Sequence, residues 1–392
     1  RLCLRGDVVV VTLNHRLNLL GYLYLARHGL ARPGGDALAD PGLADSGNAG
    51  QLDLVQALQW VQAHAGEFGG DPGNVTVFGQ SGGGAKIATL MAMPAARGLF
   101  HRAWTMSGQQ VTAAGPRAAS QRAALVLEHF NADAQALRTL PLPRLLEALK
   151  IRDPSRVEST ALYLGPVLDG RSLPRHPFWP DAPPQSAGIP MVIGNTRDET
   201  RAFLRNPTDQ TLDWEQLPAR LDREQFVDLD PAQVIAEYRR LYPHYTPSDV
   251  FFAATTAGRS WRGAVEELEA RARQGAPTWA YQLDWPSPIE DGRLRAFHTL
   301  DIPLVFSTTA VPDSPSGDGM QARALADTMS RALLAFARGG DPNGDGVPAW
   351  ERYDLERRCT MLFDVHSRAE DDPRGGERRL YQTVPFLQRG TS

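Results

Sequence analysis

Asn74-Val75-Thr76-Val77-Phe78-Gly79-Gln80-Ser81-Gly82-Gly83 is the stretch on which the fold turns. Its first half is a β-branched run without polar alternation, which suits a strand buried on both faces of a parallel sheet. Its second half matches G-x-S-x-G, the turn at which a serine leaves a strand and enters a helix. Such a turn lifts the hydroxyl above the sheet edge. Glycines two before and two after the serine let backbone approach without a Cβ clash. The following helix, expected from about Gly83 to Met91, aims its N-terminus at the serine and favours developing negative charge there.

Upstream, Leu52, Val55, Leu58 and Val61 recur at three-residue spacing within Asn48 to Phe68, an amphipathic helix for which Asn48 is the candidate N-cap. Gly69-Gly70-Asp71-Pro72-Gly73 ends it. Asp7 to Leu13 is a second apolar run that reads as a doubly buried strand. Downstream, Arg102 to Met106, Met191 to Gly194 and Thr278 to Asp284 are further strands. Strands separated by helical stretches predict an α/β architecture with a mostly parallel central sheet. The whole of 1–392 reads as one unit without internal repeats. Residues 115–160 and 212–275 are helical, charged excursions placed to form a lid. Leu325 to Arg338 is a helix stopped by Gly339-Gly340 with Pro342 beyond. The Arg- and Asp-rich stretch Ser367 to Arg379 reads as a mobile surface segment.

The composition narrows the function. A chain of 392 residues with 42% apolar content has ample material for a large core. A net charge of −4 supplies no basic field for nucleic acid or an anionic membrane. Lys86 and Lys150 are the only lysines, and the arginines that make up the other cations are scattered. Cys3 and Cys359 form neither a disulfide framework nor a metal-ligand spacing, so two reduced thiols are expected. No apolar run is long enough to span a bilayer, and no signal peptide is visible.

A nucleophilic serine needs a base, and the base needs an orienting acid. In this strand-turn-helix setting they follow in the order serine, acid, histidine. His244, His298 and His366 lie far enough downstream. His366 sits among arginines and acids as a solvated side chain would, and His244 lies between tyrosines and prolines as in a packed loop. His298 follows the polar Asp291-Gly292-Arg293 and precedes the apolar Ile302 to Phe306, which suits a base dropped onto the serine from a loop. For the acid, Asp198 and Glu199 follow one strand and Asp284 ends another, and spacing does not separate the three.

Asn48 to Gly84 resembles the type-B carboxylesterase and cholinesterase family, in which an N-x-G-x-x-D helix precedes F-G-G-D-P-x-N-V-T and the serine turn. Val8 to Leu23 is similar to that family's V-V-V-T-x-N-Y-R-L-G stretch, with His15 in place of the tyrosine. Pro166-Val167-Leu168-Asp169-Gly170 is similar to its P-V-V-D-G segment. Ile193 to Glu199 resembles the segment that bears the acid, and Ala296 to Pro303 the segment that bears the histidine. Phe336 to Arg338 with Gly340 to Asn343 and Trp350 resembles its C-terminal signature. The resemblance covers nearly the whole chain in order. It implies an α/β-hydrolase fold and a cofactor-free, metal-free carboxylesterase acting on small-molecule esters. It maps the triad onto Ser81, Glu199 and His298, with the Gly82 N–H in the oxyanion hole and Ser107 beside the triad. Arg16 and Asp53 are implied as structural partners. Thr160 and Leu162 fall where the acyl pocket is built, and their modest size implies room beyond an acetyl group.

Three departures qualify that picture. The family's H-G-G-G-type oxyanion loop lies before the strand at Val8, and only seven residues precede it, so the chain reads as a fragment and a weak esterase on its own. Gln80 replaces the usual glutamate before the nucleophile, which disfavours cationic, choline-like substrates. Thr200 replaces the usual glycine after the acid. Two other readings keep the fold: an amidase or carbamate hydrolase with the same triad, and a non-catalytic interaction protein, against which the intact Ser81, Glu199 and His298 weigh.

Overall fold

The computed structural model describes residues 1–28, 41–153 and 162–388. Its centre is a six-stranded sheet in sequential order: β1 (Thr76–Gln80), β2 (Arg102–Met106), β3 (Met191–Thr196), β4 (Thr278–Leu283), β5 (Cys359–Phe363) and β6 (Arg368–Asp371). β1 to β5 are parallel and β6 runs antiparallel to β5. Alternate strand residues feed two cores, which is why the strands read as unbroken apolar runs. Trp104, Val192, Trp279 and Tyr281 pack on the helix Met320–Gly339 through Met329, Leu333 and Phe336. Ala103, Ile193 and Ala280 pack on the other face, against helices Ala49–His64, Gly82–Leu90 and Arg262–Gln274.

The excursion between β3 and β4 has its own core. Leu217, Leu221, Val234, Tyr238, Phe251 and Phe252 gather there with Leu380 and Tyr381 from the C-terminal helix Gly375–Tyr381. The first excursion contributes the helix Pro116–Phe130, whose Ala123 and Val126 pack with Leu19 and Leu23.

Three expectations need correction. Asp7 to Leu13 is not a strand: it forms no ladder among the described residues, Val8 and Val10 pack on the core, and Val9, Val11 and Leu13 are exposed. A β-branched run becomes a strand only where a partner backbone takes its hydrogen bonds. Asn48 does not cap the helix at Ala49 with its side chain. Its amide instead donates to the Val167 carbonyl (2.7 Å) and accepts from the Val167 N–H (2.9 Å), tying the helix start to the Pro166–Gly170 segment. Residues 367–379 are ordered, supplying β6 and the start of the last helix. There Glu377 is buried between Arg374 and Arg197, with Tyr238 and Tyr242 donating to it at 2.8 and 2.6 Å.

Other boundaries move slightly. The helix expected at Leu325 begins at Met320, and its C-cap Gly340 has the positive φ (76°) that favours glycine. Cys3 and Cys359 are both free thiols. Arg16 and Asp53 form an ion pair at 2.6 Å.

Candidate active site

Because β1 to β4 are parallel, the loops leaving their C-terminal ends share one edge of the sheet, where ligands bind in open α/β folds. Ser81 follows β1, Ser107 follows β2, Glu199 follows β3, and His298 lies in the segment after β4. Backbone bonds clamp these loops together: Ser81 N–H donates to the Met106 carbonyl (2.7 Å), Ser107 N–H to Gly194 (2.7 Å), and Asp198 N–H to Ala296 (2.9 Å).

Ser81 has φ 55° and ψ −124°, a conformation that costs a non-glycine residue about 1–3 kcal/mol and survives only where the surroundings impose it. The imposing contact is the close approach of β1 to the next helix. A Cβ on Gly79 would lie 2.8 Å from the Gly83 carbonyl carbon, and one on Gly108 would overlap the Ser81 carbonyl oxygen. Gly82 opens the helix, so its N–H has no intrahelical acceptor and is free to donate.

Glu199 is fully buried, and its carboxylate is surrounded by donors. Oε2 takes a hydrogen bond from His298 Nδ1, and Oε1 takes one from the Thr196 N–H (2.9 Å) with the Asn195 amide at 3.5 Å. The Ser107 hydroxyl bonds to the same carboxylate and also accepts from the Thr196 N–H at 3.4 Å. Burial pushes the Glu199 carboxyl up, but the bonds from His298, Ser107 and Thr196 prevail and hold it below its ordinary value. It therefore stays anionic, and a proton on His298 Nδ1 leaves Nε2 as the acceptor nitrogen.

That acceptor nitrogen faces Gln80. The Gln80 amide nitrogen lies 3.1 Å from His298 Nε2, while the Ser81 hydroxyl makes no hydrogen bond among the described residues. Phe203 closes the other side of the imidazole, ring centroids 4.8 Å apart. The remaining candidates lie apart from the imidazole. The Asp198 carboxylate faces Arg201 (3.5 Å), and Asp284 accepts from the Gln282 amide (2.7 Å). His244 and His366 are exposed.

A cavity of about 400 Å³ opens onto these groups, and Ser81, Gly82, Ser107, Glu199 and His298 all line it. Leu162 lines it as expected, whereas Thr160 lies outside the described residues. Phe203 and Arg259 also face it, and sequence reading singled out neither, because no local pattern marks them. Among the described residues no group of His, Cys, Asp and Glu side chains converges as a metal-ligand set, and no helix is long and apolar enough to cross a membrane.

Comparison with known proteins gives a consistent answer. The carboxylesterase family profile matches residues 1–378. Para-nitrobenzyl esterase of Bacillus subtilis is 34% identical over 392 residues, spanning 97% of this chain and 74% of that protein. Phenmedipham hydrolase of Pseudarthrobacter oxydans is 30% identical, spanning 91% and 69%. The crystal structure of a Geobacillus stearothermophilus carboxylesterase superposes with a TM-score of 0.81 at 34% identity, covering 97% of this chain and 77% of that one.

Proposed function

This chain belongs to the carboxylesterase family and is a carboxylic ester hydrolase of α/β-hydrolase fold, and from that premise we propose that it works through Ser81, His298 and Glu199 by way of an acyl-enzyme. The observation that carries the assignment is the Glu199–His298 hydrogen bond in the lining of a cavity that Ser81 also lines. His298 Nε2 takes the Ser81 proton as the serine oxygen attacks the ester carbonyl, and Glu199 holds the ring and stabilises its cation. The Gly82 N–H, at the positive end of the helix Gly82–Leu90, donates to the oxyanion. His298 then returns the proton to the leaving alcohol, and water repeats the sequence to release the acid. No step calls for a metal or an organic cofactor.

Attack requires Nε2 to exchange Gln80 for the Ser81 hydroxyl. Hydrogen bonds between nucleophile and base are often loose before substrate arrives, and the exchange requires the Gln80 amide to turn away from Nε2. Ser107 acts on the triad through Glu199. We take residues 1–392 as one hydrolase unit, with the excursion at 212–275 reaching the cavity through Arg259 and Ser260.

The test is labelling of the purified chain with a fluorophosphonate, beside turnover of p-nitrophenyl butyrate. Both are expected to disappear in Ser81→Ala, turnover falling by roughly a millionfold at the limit. Labelling that persists in Ser81→Ala would move the nucleophile elsewhere.

A further inference from the structure

Arg259 sits in a π-helical turn, Ala257–Trp261, joining helices Pro247–Thr256 and Arg262–Gln274. A π turn re-aims its side chains and recurs at functional sites. This one is pinned on both sides of the arginine. A Cβ on Gly258 would overlap the Gln225 carbonyl oxygen. Ser260 is hydrogen-bonded to the Asn195 amide (2.8 Å) and to the Gln109 amide (3.0 Å). Asn195 in turn lies against Glu199 (3.5 Å), so the position of Arg259 is registered to the triad.

The guanidinium lies over the Phe203 ring, 4.1 Å from its centroid, and the other neighbour of that ring is the His298 imidazole. One aromatic ring thus separates a cation from the catalytic base, and all three line the cavity with Ser81. Neighbouring arginines have their partners: Arg197 has Glu377 (3.4 Å), Arg201 has Asp249 (2.9 Å), and Arg262 donates to the Val384 carbonyl (2.9 Å). The Arg259 guanidinium makes no hydrogen bond and no ion pair among the described residues, and its contact is with the Phe203 ring. Its donors form a planar fork matched to a carboxylate. Surrounding protein pulls its pKa below the ordinary guanidinium value, yet the side chain is exposed to the cavity, where an arriving anion can reach it. Two carboxylates act on Arg259 through space, and both have other partners: Glu224 pairs with Arg220 (3.0 Å), and Glu199 is committed to His298, Thr196, Asn195 and Ser107.

We propose that Arg259 receives a carboxylate of the substrate, so that this hydrolase prefers esters carrying a second, anionic group over neutral or cationic esters of equal length. The inference rests on the reading of the cavity as the ester site, and its test separates the two. The mono-p-nitrophenyl ester of adipic acid is compared with p-nitrophenyl hexanoate, which has the same chain length without the carboxylate. The ratio of their kcat/KM values, adipate over hexanoate, is expected to fall about 10- to 100-fold in Arg259→Gln, as loss of hydrogen bonds to a charged group implies. It should be partly restored in Arg259→Lys, which keeps the charge without the fork, and should shrink in wild type as salt is raised. A ratio unchanged by Arg259→Gln, whether or not both rates fall, overturns the proposal. Binding of monoethyl adipate to Ser81→Ala, read by calorimetry, tests the cation independently of turnover. Arg259→Gln in that background should weaken it about tenfold or more, and equal binding overturns the proposal. Absence of Ser81-dependent hexanoate turnover would instead count against the catalytic reading alone.

Discussion

At the scale of single residues, Gln80 is the position where chemistry and neighbours meet most closely. Its amide N–H reaches the nitrogen of His298 to which we assign the serine proton. The same position occupied by a carboxylate would favour the protonated imidazole. Gln80→Glu is therefore expected to move the acid limb of the kcat/KM profile to higher pH, by roughly one unit for a charge in direct contact. A profile superimposable on wild type would show that residue 80 does not touch His298 in the free enzyme. Sequence reading placed Gln80 beside Ser81, but its contact with His298 spans 218 residues of chain and follows only from the convergence of two loops.

At the scale of elements, the serine turn depends on its glycines unequally. The motif suggests that both flanking glycines serve close approach. In the structure only Gly79 is confined by backbone, while a Cβ on Gly83 meets nothing within 4 Å. The tight partners on the helix side are Gly84 and Gly108, each of which would meet the other's backbone. Gly79→Ala is expected to destabilise the fold by about 1–3 kcal/mol, as overpacking against unyielding backbone does. Gly83→Ala should be neutral or stabilise by up to about 1 kcal/mol, since alanine is the better helix former. Urea denaturation of the two variants decides it, and the opposite order would mean that the strand and helix meet differently. Element types were legible wherever a run was both periodic and paired, as at β1, β2, β3, β4 and the helices on either side of the serine. Asp7 to Leu13 misled because its composition suits a strand and its hydrogen-bond partner does not follow from composition.

At the scale of the molecule, buried carboxylates set opposing pH dependences of stability. Glu267 is buried in the helix Arg262–Gln274, where burial pushes its carboxyl up to about 8 against the Gln110 N–H (2.7 Å) and Arg271. Its other oxygen has no hydrogen-bond partner among the described residues, so little offsets the cost of burying a charge there. A group whose pKa is higher when folded contributes stability that is complete below its unfolded value and is lost as pH rises through the folded one. The window runs from the ordinary 4.5 to about 8. Glu267→Gln removes that titration, so its Tm relative to wild type is expected to rise steadily across that window. A constant difference would mean that the carboxyl is charged throughout. Glu377 has the opposite sign. Burial alone would raise it, but Arg374 and Arg197 bring it down to about 2, so its contribution is complete above 4.5 and fades as pH falls toward 2.

The sequence by itself determined the fold class, the serine turn and the resemblance that mapped Glu199 and His298, because each of these is carried by residues close together in the chain. β1 and the helix after it are neighbours in sequence, so their apolar runs, glycines and serine announce one local geometry. The choice of acid among Asp198, Glu199 and Asp284 stayed open on spacing. It separates in three dimensions, where Glu199 alone meets His298 while Asp198 faces Arg201 and Asp284 takes the Gln282 amide. The order of residues 367–379 likewise came from packing: arginines and acids that look solvated one by one become buried once Arg374, Glu377, Arg197 and two tyrosines satisfy one another. Phe203 and Arg259 entered the cavity the same way, Phe203 from the end of the turn that carries Glu199 and Arg259 from the helical excursion. Tertiary structure decided these because burial and charge pairing depend on which distant segments meet, and the energies that bring them together belong to the pair rather than to either residue.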